Sequence, residues 1–117
     1  MIENTTKKKI LVNKSKLCSS VASQTIGLMF SKKQNDYALI FKFKKKRILS
    51  LHMFFVFYPI DVISLDENKR VVDVKENFKP FTTHMVMKKV KYIIELPVGT
   101  IGRTKTLIGD KIDFKWK

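Results

Sequence analysis

Chain-breaking residues divide this sequence into pieces too short for long helices. Gln34-Asn35-Asp36, Tyr58-Pro59, Asp66-Glu67-Asn68-Lys69, Phe78-Lys79-Pro80, Pro97 with Gly99 and Gly102, and Gly109-Asp110 recur along the chain. Proline fixes φ and lacks an N–H, while glycine, asparagine and aspartate supply turn conformations. Between the breaks the apolar residues either alternate or run together, which is how half-buried and fully buried strands read. Within residues 37–43, Leu39, Phe41 and Phe43 alternate with Ala38, Ile40 and Lys42. Residues 48–57 hold a nearly unbroken apolar run, which implies burial on both faces.

Further strands are expected at 9–12, 92–96 and 111–116, with a hairpin from 60–65 to 70–75 around Asp66-Glu67-Asn68-Lys69. The basic cluster Lys44-Lys45-Lys46-Arg47 reads as a turn between two strands. One helix is expected, at 19–29. Ser19 or Ser20 caps it, Val21, Thr25 and Leu28 share a face, and Gly27 keeps it short. Because no long helical pattern separates the strands, βαβ crossovers are not expected. The sequence predicts a mainly β domain near the α+β boundary, a small β-sandwich or barrel of about seven short strands with one short helix.

The 117 residues fit one domain, expected over 9–117 behind a flexible polar tail at 1–8. Hydrophobic residues make up 44% of the chain, the composition of a folded protein. Cys18 is the only cysteine, which excludes an intrachain disulfide and any multi-cysteine metal site. The amino-terminal residues show no apolar secretory segment, and the longest apolar run, 53–58, falls far short of the ~20 residues that span a bilayer. These features predict a cytoplasmic protein with no transmembrane segment.

The formal net charge is +14, from 24 basic and 10 acidic residues. Clustered cations release counterions from nucleic-acid phosphates, so nucleic acid is one candidate partner. Yet Arg47, Arg70 and Arg103 are the only arginines. Lysine is a hydrated point charge without the planar fork that favours specific phosphate recognition. A solvated lysine coat is the simpler account of the charge, and non-specific nucleic-acid contact through Lys44, Lys45, Lys46 and Arg47 stands as the alternative. Phe41 and Phe43 are interleaved with this cluster but share a strand face with Leu39, and so read as core.

Four blocks occur in order: Gly27-Leu28-Met29-Phe30; Leu39-Ile40-Phe41-Lys42-Phe43; His52-Met53 with Pro59-Ile60-Asp61-Val62-Ile63; and Ile94-Glu95-Leu96-Pro97-Val98-Gly99-Thr100 followed by Gly109-Asp110-Lys111-Ile112. Together they resemble the domain-of-unknown-function family 192, over roughly residues 9–116. The resemblance implies a compact, sandwich-like β domain whose short helix carries the GLMF block, with no established biochemical activity. By the same resemblance, many bacterial relatives look secreted or membrane-tethered through an amino-terminal signal, and this chain is expected to depart from them in lacking one. They also tend to read Trp-Met-Lys-Asn where this chain has His52-Met53-Phe54-Phe55, whereas Pro59 and Asp61 fall in the family pattern.

Candidate chemistry is sparse. His52 and Asp61 form a general-base pair only if the fold brings them together, and no nucleophile motif stands beside them. The simpler reading is a histidine satisfied by backbone and an aspartate capping the Tyr58-Pro59-Ile60 turn. His84, read as an exposed loop residue, adds a second histidine for a metal set with Asp61 or Glu95, but the local ligand spacing of a metal site is missing. Gly99, Thr100 and Arg103 suggest an anion-binding loop that matches neither a Walker nor a dinucleotide pattern. With no catalytic residue, metal site or cofactor identified, the expected protein is a small non-enzymatic binding or interaction module for an unidentified ligand or protein. Nucleic-acid binding is the alternative, and a small hydrolase or metal site at His52/Asp61 comes third.

Overall fold

The computed structural model of the chain describes residues 1–18, 36–52, 58–79 and 82–114. Among them are eight strands: β1 (Ile2–Asn4), β2 (Lys9–Val12), β3 (Lys14–Cys18), β4 (Tyr37–His52), β5 (Ile60–Leu65), β6 (Val71–Phe78), β7 (Thr83–Pro97) and β8 (Ile112–Phe114). One short helix, α1 (Thr100–Thr104), follows β7. The strands form a three-stranded sheet ordered β2-β1-β8 and a five-stranded sheet ordered β3-β4-β7-β5-β6. The fold is mainly β, in two open sheets, and no barrel closes.

Alternation along the central strands sends their side chains into two cores, since successive side chains point to opposite faces. On one face, Ala38, Ile40, Ile63, Leu65, Ile94 and Leu96 pack with Ile2, Leu11, Val12 and Ile112 of the small sheet, closed by Ile101 of α1. On the other, Leu39, Phe41, Ile60, Val62 and Ile93 pack with Phe78, Val86 and Val90. Each buried aliphatic or aromatic side chain contributes about 1.5–3 kcal/mol, so both faces are held firmly.

The second core explains the length of β7. Its C-terminal part pairs with β5 from Tyr92 to Pro97, while among the described residues its N-terminal part, at Thr83, His84, Met85 and Val86, pairs with β4 alone. Register irregularities between Lys42 and Arg47, and again between Arg47 and Leu49, break the β4/β7 ladder. Such irregularities bend a ribbon. Beyond them Val86 and Val90 are fully buried against Phe78 and Ile60, so the ribbon folds back over the sheet.

Several expectations are corrected here. Residues 1–8 are not a free tail: β1 is the central strand of the small sheet, with Ile2 and Asn4 both 0% exposed. Asn4 Nδ2 donates to Thr106 Oγ1 (3.0 Å) and Asp110 Oδ2 (2.9 Å), and Lys7 Nζ meets the same Asp110 oxygen at 3.1 Å. Lys44-Lys45-Lys46-Arg47 is not a turn but lies inside β4, because it contains none of the residues that turns require. β3 and β4 pair in parallel, an arrangement that the turn pattern did not lead one to expect.

His84 lies in a strand rather than a loop. The β5–β6 hairpin forms as expected, with Asp66 Oδ1 accepting the Asn68 and Arg70 N–H groups and Lys69 in the left-handed region (φ 61°). The helix expected at 19–29 and residues 53–57 of the apolar run lie outside the described residues.

Candidate functional site

The loop between β7 and β8 begins with Gly99 at φ 92°, a conformation that favours glycine. Its hydrogen-bonding groups turn inward. Thr100 Oγ1 donates to Pro97 O (2.7 Å), and Thr104 Oγ1 to Thr100 O (2.8 Å). The Arg103 guanidinium donates to Ile10 O (3.2 Å) and Leu11 O (2.7 Å), which ties α1 to β2. Of the expected ligand set, Gly99, Thr100 and Arg103 therefore sit together, with the arginine fork on backbone carbonyls of a neighbouring strand.

Asp61 joins them from β5. It is fully buried, with Oδ2 accepting the Ile101 N–H (2.8 Å) and Oδ1 the Asn77 N–H (2.9 Å). Asn77 has φ 50°, so the carboxylate holds a strained strand end and the start of α1 at once. Asp61 acts as a cap, although not for the Tyr58-Pro59-Ile60 turn. His52 ends β4 opposite Thr83, whereas Asp61 lies opposite Leu96, so the register sets the two at opposite ends of β7.

A different carboxylate stands out. Glu95 lies in the central strand, between Leu39 on β4 and Val62 on β5. The residue keeps some contact with solvent, yet its Oε2 is shut away and finds no hydrogen-bond partner among the described residues. Burial pushes its carboxyl up to about 8, because the charged form loses hydration that nothing replaces. Burial also raises the Tyr58 hydroxyl, and the nearby Glu95 charge adds to that rise. In the adjacent row, Ser64 is 0% exposed and its Oγ is likewise unpartnered among the described residues. The sequence signal was available: Glu95 is the one acid in an otherwise apolar Tyr92-Ile93-Ile94-Glu95-Leu96 run.

Two further features emerge from the pairing of distant strands. His84 Nε2 and Asp73 Oδ2 stand 2.7 Å apart, joining the folded-back ribbon to β6, and the imidazole meets the Phe78 ring edge-on. Lys42 pairs with Tyr92 and Arg47 with Val90, which sets the Lys42–Arg47 stretch opposite Val90 to Tyr92, with Lys88 and Lys89 farther along the same ribbon. Among the described residues, no group of three His, Cys, Asp or Glu is placed to hold a metal.

The family model for DUF192, described as Uncharacterized ACR, matches residues 2–114. The chain belongs to this family. Its DUF192 relatives include UPF0127 proteins of three archaea. That of Thermococcus kodakarensis is 40% identical over 116 residues, covering 97% of this chain and 73% of the relative. That of Thermococcus sibiricus is 38% identical over 117 residues (98% and 75%), and that of Pyrococcus horikoshii 36% over 116 residues (99% and 98%).

Two solved structures share the DUF192 chain's fold at a TM-score of 0.78 each. One is a candidate transcription regulator from Sinorhizobium meliloti 1021, 22% identical, with 85% of this chain and 79% of that one covered. The other is a protein of unknown function from Novosphingobium aromaticivorans DSM 12444, 24% identical (86% and 74%). At these identities the likeness is one of fold. In this DUF192 chain the Ile94-to-Thr100 block runs from the buried carboxylate to the start of α1, and Gly109-Asp110 forms the turn into β8. Among the described residues no helix is long and apolar enough to cross a membrane.

Proposed function

We propose that this DUF192 chain is a non-enzymatic binding module whose partner is nucleic acid, held by charge along the β4/β7 ribbon. One observation supports the reading: β4 pairs with β7 through Lys42–Tyr92 and Arg47–Val90, so the lysine-rich 42–47 stretch of β4 runs opposite the part of β7 that holds Lys91, with Lys88 and Lys89 next along that strand. Glu95 is the single acid in the two strands, and it faces the core. A cationic strip of this kind binds phosphates by counterion release, without base readout. The lysine-rich composition suits such non-specific contact better than a bidentate phosphate site. His52 and Asp61 have no part in this reading, since both Asp61 oxygens already accept backbone N–H groups. With Cys18 as its only cysteine, the chain is suited to the reducing cytoplasm.

The test is a titration with short single- and double-stranded oligonucleotides at several salt concentrations. The expected result is binding whose log K falls linearly with log salt. In the Lys88→Glu/Lys89→Glu double variant, the slope should become shallower by about 2. No binding at low salt, or a slope that the double variant leaves unchanged, overturns the proposal.

A further inference from the structure

On the face of the five-stranded sheet that carries the second core, two rows of side chains cross the central strands. Leu39, Glu95 and Val62 form one row, and Phe41, Ile93 and Ser64 the next. Glu95 and Ser64 are diagonal neighbours, with Cα atoms about 7–8 Å apart. Both bear a buried oxygen without a partner among the described residues. Buried polar atoms are nearly always hydrogen-bonded, and two orphans side by side on one face ask for a shared donor. The aromatic residues Tyr37, Phe41 and Tyr58 belong to the same cluster, and Tyr37 and Tyr58 keep part of their surface open to solvent.

The chemistry of the set restricts what can satisfy it. A divalent metal would need more ligands than the site offers, since no three His, Cys, Asp or Glu come together among the described residues. A neutral alcohol brings one donor and leaves any carboxylate charge unbalanced in an apolar setting. A primary ammonium has three donors, enough for Glu95 Oε2 and Ser64 Oγ together, and its charge is stabilised by both carboxylate and aromatic faces. We infer that Glu95, Ser64 and the aromatic residues around them form a binding site for a small primary alkylammonium ligand. This site is separate from the basic ribbon, and neither depends on the other.

Proton linkage follows from the burial of Glu95. The ligand needs the carboxylate, and that carboxyl titrates at about 8 in the free protein. Below this pH, binding therefore displaces one proton and weakens by about tenfold per pH unit. An alkylammonium stays charged throughout this range, with an ordinary pKa near that of lysine, about 10.4.

The experiment is an amide-resolved NMR titration of the whole chain with n-butylammonium chloride, run beside tetramethylammonium chloride and 1-butanol. The expected result is saturable shifts at residues 62–64 and 92–96 at pH 8.5, with about a tenfold loss of affinity at pH 7. Tetramethylammonium, which has no N–H, and 1-butanol should bind at least tenfold more weakly. Glu95→Gln should abolish n-butylammonium binding, and thermal unfolding checks that the variant is folded; Ser64→Ala should weaken binding severalfold and provides a second variant. The site is refuted if n-butylammonium gives no saturable shifts at pH 8.5, if 1-butanol matches it, or if folded Glu95→Gln binds as well as the wild type.

Discussion

Asp61 and Glu95 occupy neighbouring strands and meet opposite fates. Asp61 is fully buried with an N–H on each oxygen, whereas the Glu95 carboxyl is buried with one oxygen unmatched. Asp61 was legible as a structural aspartate, but its true partners, Asn77 and Ile101, lie 16 and 40 residues away and no local pattern names them. Glu95 has a measurable consequence. Its folded carboxyl titrates at about 8, against an ordinary value of 4.5. Between those values the folded protein holds a proton that the unfolded chain has released. This group therefore lowers stability as pH rises from about 4.5 to 8, and its effect levels off above that range. Glu95→Gln, which cannot ionise, should remove that slope and exceed the wild type in stability at pH 8.5, by on the order of a few kcal/mol. Urea unfolding at pH 5, 7 and 8.5 decides it: parallel pH curves for the two proteins would show that the carboxyl is already ionised at neutral pH.

Among the elements, those defined by local chemistry were readable and those defined by distant pairing were not. The hairpin of β5 and β6 announces itself through Asp66 and Asn68, whose side chains and backbone favour a turn. β2 was equally plain, as a branched apolar run between polar residues. β1 escaped because Ile2 is the lone aliphatic in Ile2-Glu3-Asn4, and its burial comes from β2 and β8, the latter more than a hundred residues away. β4 was cut short because its lysines look like a surface turn, although nothing there bends a chain as glycine or proline would. Deleting residues 1–8 tests the element directly. A disordered tail would leave the thermal midpoint unchanged. Loss of β1 should instead strip cover from Leu11 and Ile112 and leave Thr106 and Asp110 without Asn4, lowering the midpoint by at least 10 °C or abolishing cooperative unfolding altogether.

For the molecule as a whole, charge is the property that the sequence gives fully and the fold redistributes. A net +14 on 117 residues repels itself, and the register of β4 against β7 concentrates part of that charge on one ribbon. Salt shortens the range of this repulsion, to about 10 Å at 0.1 M. Raising sodium chloride from 10 to about 300 mM should therefore raise the thermal midpoint by several degrees, as scanning calorimetry can measure. A midpoint that falls or stays level would mean that ion pairs such as Lys7–Asp110 outweigh the repulsion.

The pairing of Ile2 with Phe114 sets an order of events for the nascent chain. While β8 is still being synthesised, β1 has only β2 for a sheet partner, and its other edge stays open until residue 114 has left the ribosome. Ladders that join distant parts of a sequence form slowly. The small sheet should thus be the last part of the domain to assemble, and its open edge the place where a stalled chain meets another.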